Sequence, residues 1–441
     1  MTTPTGAPLN WDIHETHLEE AAFRWSQWEK ALDAPDFTLE EVAELEEPVA
    51  AHVDGLVLGG EPVATRLLVP ALTEEEPERI VAAALALLGA EADYGPARVL
   101  GALSSAEPPA LAALQRALEL SPSTGILQAL PSLLRKDAVP ELLALVLDTL
   151  GAHGLATATL CTPLLNHPEP AVAAAALRAV SQARLPLEPA LLQRALDSSA
   201  PMLRDAAILA GLMGGHRAAW ATCQAVVSAR APGGRLPLLL LGMSGEERDV
   251  KTLLEQLSDK KLRPDVLWAL GFSGRVAAAD ACVELLRHPP VAALAGEAFS
   301  AITGLGIAER YAIAREEEDA ALPPLEDEDL DADLTSKPED ALPLPQPQAI
   351  SEWWSEARQR LDVKQRYLAG QPFTPQALME ALLTAPMRRR HALALELALR
   401  SRGALQVPTR AFATHQLVAL RAARAAPGAL LSRPFAETFR G

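Results

Sequence analysis

An apolar residue followed by Gly, Ser or Thr returns about every thirty residues along this 441-residue chain, and no other feature restricts its folding so strongly. The pairs are Leu88-Gly89, Leu120-Ser121, Leu150-Gly151, Val180-Ser181, Ala210-Gly211, Leu241-Gly242, Leu270-Gly271 and Ile302-Thr303. Their second members lie 32, 30, 30, 30, 31, 29 and 32 residues apart. A fixed period of that length marks a repeat architecture, in which each unit buries its apolar face only against its neighbours. Each unit reads as helix, turn, helix. In 198–228, Pro201 suits a first helical turn, Leu203, Ala206, Ala207 and Ala210 form a stripe at helical spacing, and Gly214-Gly215 breaks the helix. Aromatic residues make up only 4% of the chain, and Ala and Leu dominate, which favours helices over strands. The expected fold is all-α, an α-solenoid with flanking N-terminal helices and a C-terminal helical bundle. At 8–10 Å per helix layer, eight units would make a curved rod about 80 Å long.

Charge divides the chain. Residues 351–441 hold 14 Lys/Arg and 6 Asp/Glu, a net of +8, so the first 350 carry −26 of the total −18. Between Glu316 and Asp340 stand 12 Asp/Glu and one Lys, followed by Leu-Pro-Leu-Pro-Gln-Pro-Gln. Such a stretch repels itself and is expected to be extended. The expected domains are a helical cap at 1–60, the repeat array at 61–315, an acidic Pro-rich linker at 316–349, and a basic helical region at 350–441. The first residues show no basic and apolar leader pattern, and no apolar run approaches about 18 residues, so a cytoplasmic protein with no membrane contact is expected.

The repeat units resemble HEAT-like repeats of the phycobilisome-lyase type, most clearly in Arg204–Gly211 and in Val266–Leu286. Further segments resemble a bacterial family of HEAT-like proteins whose genes are associated with type VI secretion clusters and multiplied in myxobacteria. The segments are His17–Trp25, Ala51–Leu56, Trp268–Gly271, Gly296–Gly304, Trp353-Trp354, Arg366–Pro372 and 388–399. The resemblance implies a secretion-linked protein partner and supplies no catalytic residues.

Candidate sites were weighed against ordinary structural roles. His14, His17, His52 and Asp54 could hold a metal only if the two N-terminal helices bring them together; a Glu-rich amphipathic helix gives such histidines solvated or capping roles, and no metal or other cofactor is expected. Cys161, Cys223 and Cys282 form no CxxC and suit packing inside Ala/Leu-rich helices. No GxSxG, P-loop or dinucleotide fingerprint occurs. Arg388, Arg389 and Arg390 open a helix whose other face is leucine, which suggests a solvated basic face or one paired with the acidic linker; the net negative charge argues against nucleic acid. Arg204, Asp205, Arg235, Asp265 and Glu297 recur early in successive first helices, either as a ladder fixing repeat register or as a polar stripe for a protein. Trp353 and Trp354 point about 100° apart on a helix, so one is expected to anchor the C-terminal bundle and the other could be open to a partner; structural use of both is the favoured reading.

The expected function is therefore non-catalytic. An acidic scaffold would bind a basic, secretion-linked protein (effector, toxin or apparatus component) as accessory, adaptor or chaperone. The alternatives are an immunity protein neutralising a cognate toxin, or an enzyme with a site on the concave face.

Overall fold

The computed structural model describes residues 9–90, 94–314, 337–426, 428 and 435–439, and these are overwhelmingly helical. The repeat marks fall in the last turn, or at the cap, of eight successive helices: Pro77–Gly89, Pro108–Leu120, Pro140–Ala152, Pro170–Gln182, Pro201–Met213, Arg235–Ser244, Arg263–Ser273 and Ala292–Thr303. The first five pack on one another in chain order, as do the last three; Arg217–Ser228 touches both groups.

The small residue has a steric reason. A Cβ on Gly151 would lie 3.0 Å from Ala179 Cα, one on Gly242 would lie 2.0 Å from Ala269 O, and one on Gly271 would lie 3.0 Å from Ala298 Cα. These three positions face the next helix in the row, so there the marks record where neighbouring backbones come closest, whereas Gly89 faces Val57 and Gly211 faces Ala219 and Leu192. A second periodicity fixes the other end of the helices. Pro77, Pro108, Pro140, Pro170 and Pro201 each occupy the first helical position, where a missing N–H leaves no bond unmade.

Helices Trp11–Ala31 and Leu39–Leu58 pair with each other and pack on Pro77–Gly89. The second opens on a capping box between Thr38 and Glu41. The expected linker falls mostly outside the described residues; its described end contains Glu339, which pairs with Arg388 at 2.9 Å.

Residues 364–416 form what we call the clasp. It starts with a two-residue antiparallel pairing, Tyr367–Leu368 with Gln371–Pro372. Ala369 and Gly370 turn it at φ 48° and 78°, the left-handed pair a tight hairpin needs. Helices Pro375–Thr384 and Met387–Arg400 follow. In Met387–Arg400 only His391 and Leu395 are not buried, so the expected solvated basic face is corrected: Arg388, Arg389 and Arg390 are 9%, 6% and 0% exposed. Arg388 and Arg389 are buried against Glu297 and the Gly271 carbonyl from distant helices, and Arg390 against the Leu382 carbonyl and Gln416 of its own region.

The open rod is corrected too. The Arg388 backbone N–H donates to Ala34 O in the N-terminal hairpin at 3.1 Å, and its side chain meets Glu297 on the last helix of the row at 3.2 Å. One residue thus joins both ends of the row. Two hydrogen bonds and one arginine side chain span only about 12 Å, far less than the length of eight helix layers laid out in line.

Candidate functional site

The clasp runs along the C-terminal ends of the row's helices, where carbonyls lack intrahelical partners and the helix dipole is negative. Arg389 donates to Gly271 O at 3.1 Å, Arg366 to Phe272 O at 2.7 Å, and the Tyr367 N–H to Gly274 O at 2.7 Å. The N–H groups of Ala369 and Gly370 reach Ala301 O and Ile302 O, and Gln406 reaches Gln182 O at 2.9 Å. The Arg402 guanidinium packs against Gly215, just past Met213. The clasp also carries its own ion pairs. Glu396, fully buried, accepts from Arg366 at 2.5 and 2.8 Å and from Arg400 at 2.7 Å. Burial would push its carboxyl up, but the two guanidinium groups overcome this and hold it below the usual range.

Two clefts open where the clasp diverges from the row, and they share Pro122 and His415. The larger, about 1050 Å³, lies between Leu39–Leu58, the ends of Pro77–Gly89 and Pro108–Leu120, and the start of helix Ala413–Ala425. Val49, Leu85, Leu88, Leu120 and Phe412 give it an apolar lining, and among the described residues its charged groups are Glu46, Glu47 and Asp54, with no Lys or Arg. Glu46 accepts from Trp28 Nε1 at 3.0 Å and from the Ala413 N–H at 2.7 Å, which ties the clasp's far end to the N-terminal hairpin. Burial pushes the Glu46 carboxyl up to about 7 despite these two donors.

The second cleft, about 840 Å³, is polar and neutralised from within. Arg178 forms a two-point pair with Asp148 at 2.8 and 2.7 Å. Arg116 meets Glu29 at 2.8 Å, and Arg410 meets Asp33 at 2.6 Å. Glu119 accepts from Gln115 at 2.8 Å, and burial raises its pKa. His153 Nε2 lies 2.8 Å from Leu118 O; a carbonyl only accepts, so this nitrogen carries the proton.

The residues singled out in the sequence lie mainly along inter-unit contacts. Arg204 donates to Pro232 O and Gly233 O of the next unit at 2.9 and 3.2 Å and stands 3.7 Å from Asp205. Burial pushes Asp205 up to about 6 against the pull of Arg204. Arg235 meets Asp265, one unit on, at 3.5 Å, and both remain accessible. Glu297 faces Arg388 and Arg389. Trp354 is buried and donates to Asp280 at 2.9 Å. Trp353 does not turn away from it: both indoles pack on Phe299, with centroids 6.0 and 5.3 Å from that ring, because the indoles are long enough to fold back toward one partner.

Of the four metal candidates, only His17 and His52 converge, Nδ1 to Nδ1 at 3.0 Å. Gly55 makes room for this, since a Cβ there would lie 2.8 Å from His17 Nε2. Asp54 instead lines the larger cleft. Among the described residues no group of three or more His, Cys, Asp or Glu could hold a metal. The three cysteines are buried and free, and burial raises each thiol, Cys282 to about 12.

Sequence reasoning missed both clefts and the clasp. The five-fold return of Pro and the near-unbroken Ala/Leu run around Glu396 were the available signals. The segments that carried the family resemblance meet one another. His17–Trp25 meets Ala51–Leu56 through His17 and His52, Trp268 lies under Arg388 and Arg389, and Gly296–Gly304 meets both Trp353-Trp354 and Arg366–Pro372.

No family model matches the chain. No curated protein matches it either. Among solved structures, YibA of Escherichia coli aligns with a TM-score of 0.28 at 14% identity, over 68% of this chain and 99% of that one. An alignment at that level carries no argument about fold or function. Among the described residues no helix is long and apolar enough to cross a membrane.

Proposed function

We propose that this chain is a non-catalytic protein-binding scaffold, a HEAT-like α-solenoid closed by its own clasp, that acts as an accessory, adaptor or chaperone in type VI secretion. The observation that carries the binding role is the larger cleft. It is apolar at its base, acidic at its rim and wide enough for several side chains. Its carboxylates and the net charge of −18 favour a basic partner and speed the encounter with one. The secretion link rests on the resemblance of the quoted segments alone.

The test is genetic. In the bacterium that carries it, deletion should reduce secretion through the apparatus. Wild-type protein should restore secretion, whereas Ala50→Trp, an exposed position on the cleft wall, should not. Full restoration by Ala50→Trp would overturn the role given to the cleft. Unchanged secretion together with death from a neighbouring gene's toxin would replace the adaptor with an immunity protein.

A further inference from the structure

The helix ends supply a more specific clue to what the larger cleft takes. From Gln182 onward, the clasp presents a donor or a guanidinium to the row at five sites: Gln406 at Gln182, Arg402 at Gly215, Arg366 beside Gly245, Arg389 and Arg366 at Gly271 and Phe272, and the 369–370 backbone at 301–302. The ends at Gly89 and Leu120 are different. They open into the cleft, and among the described residues no hydrogen bond from the clasp reaches either of them; at the second, His153 takes Leu118 O and leaves the later carbonyls to the cleft. Each such end is a site of partial negative charge. Glu47 and Asp54 stand exposed across from them, and among the described residues the only basic side chain on the wall is His415.

We infer that the cleft takes a short apolar segment of a partner protein bearing an arginine, whose guanidinium does at the Gly89 and Leu120 ends what the clasp does at the later ones. This rests on the protein-binding role proposed above. Apolar side chains of the segment would pack on Val53, Pro96, Phe412 and Leu417, which are partly exposed on the cleft wall, while the guanidinium would lie between the helix ends and Glu47 and Asp54. A planar guanidinium offers five donors, which suits several carbonyls and carboxylates at once.

The experiment is a selection of displayed random 12-residue peptides on the immobilised full-length protein, followed by fluorescence anisotropy of the recovered peptides. The expected binders carry an arginine near Leu, Val or Phe and lose binding to Ala50→Trp. Replacing that arginine by norleucine should weaken them by roughly tenfold or more, and Glu47→Gln with Asp54→Asn by about three- to tenfold. Binders blocked by Ala50→Trp but lacking a cationic residue, or indifferent to the two carboxylate changes, would overturn this inference and leave the docking role standing. Recovery of no peptide sensitive to Ala50→Trp would overturn both.

Discussion

Buried arginines hold this protein together through carbonyls as well as carboxylates: Arg204 and Arg389 reach backbone oxygens, while Arg388 and Arg400 meet Glu297 and Glu396. Arg390 donates to Leu382 O and Gln416 Oε1, each at 2.7 Å, with no acidic residue beside it, and burial draws its pKa down to about 10. Glu396 is a single carboxylate shared by Arg366 and Arg400. Removing it takes away the carboxylate that both guanidinium groups share, so Glu396→Ala should cost about 3–5 kcal/mol in denaturant unfolding. Glu396→Gln, which keeps an acceptor, should cost less. A loss under about 1 kcal/mol for the alanine variant would contradict this account. None of this was visible in a local window of sequence. Arg388-Arg389-Arg390 resembles a wet basic face because a run of cations normally stays hydrated. Its partners at Gly271 and Glu297 lie some ninety to a hundred and twenty residues earlier.

At the scale of the helix, the repeat was legible and its cause was not. The eight small residues could be located from spacing alone, but only the structure shows that Gly151, Gly242 and Gly271 face the next backbone. This separates two kinds of glycine. Gly242→Ala would drive a methyl into Ala269 O and should destabilise by about 1–3 kcal/mol or more. Gly101 lies within helix Tyr94–Leu103 with nothing within 4 Å of the position of a Cβ. Gly101→Ala should therefore stabilise by about 0.4–1 kcal/mol. Paired thermal melts of the two variants check the difference, and shifts of the same sign would refute the steric assignment. The larger cleft was not legible at this scale. Its walls come from four separate parts of the chain, and only Asp54 among its carboxylates had drawn notice.

For the whole molecule, the joining of the two ends through Arg388 changes how the fold should come apart. An open row of repeats can fray from either terminus, because each unit touches only its neighbours. Here the first hairpin is tied to the clasp by Arg388 and by His391, whose Nε2 lies 2.8 Å from Leu32 O. Far-UV circular dichroism and tryptophan fluorescence should report one coincident unfolding transition, since Trp28 lies at one end of the row and Trp354 near the other. His391→Ala combined with Arg410→Ala, which removes the side-chain bonds to Leu32, Asp33 and Glu29, should split it in two. Separate transitions in the wild type, or a single one in the double variant, would show that the tie does not couple the ends.

The position of the clasp in the chain has a consequence for biosynthesis. A ribosome releases the last helix of the row, ending at Thr303, 84 residues before it reaches Met387. At about 5–20 residues per second the wait is roughly 4–17 s. Through that interval the nascent row carries bare carbonyl ends and uncovered leucine, and the growing polypeptide is most exposed to chaperones just before its own final helices arrive to seal it.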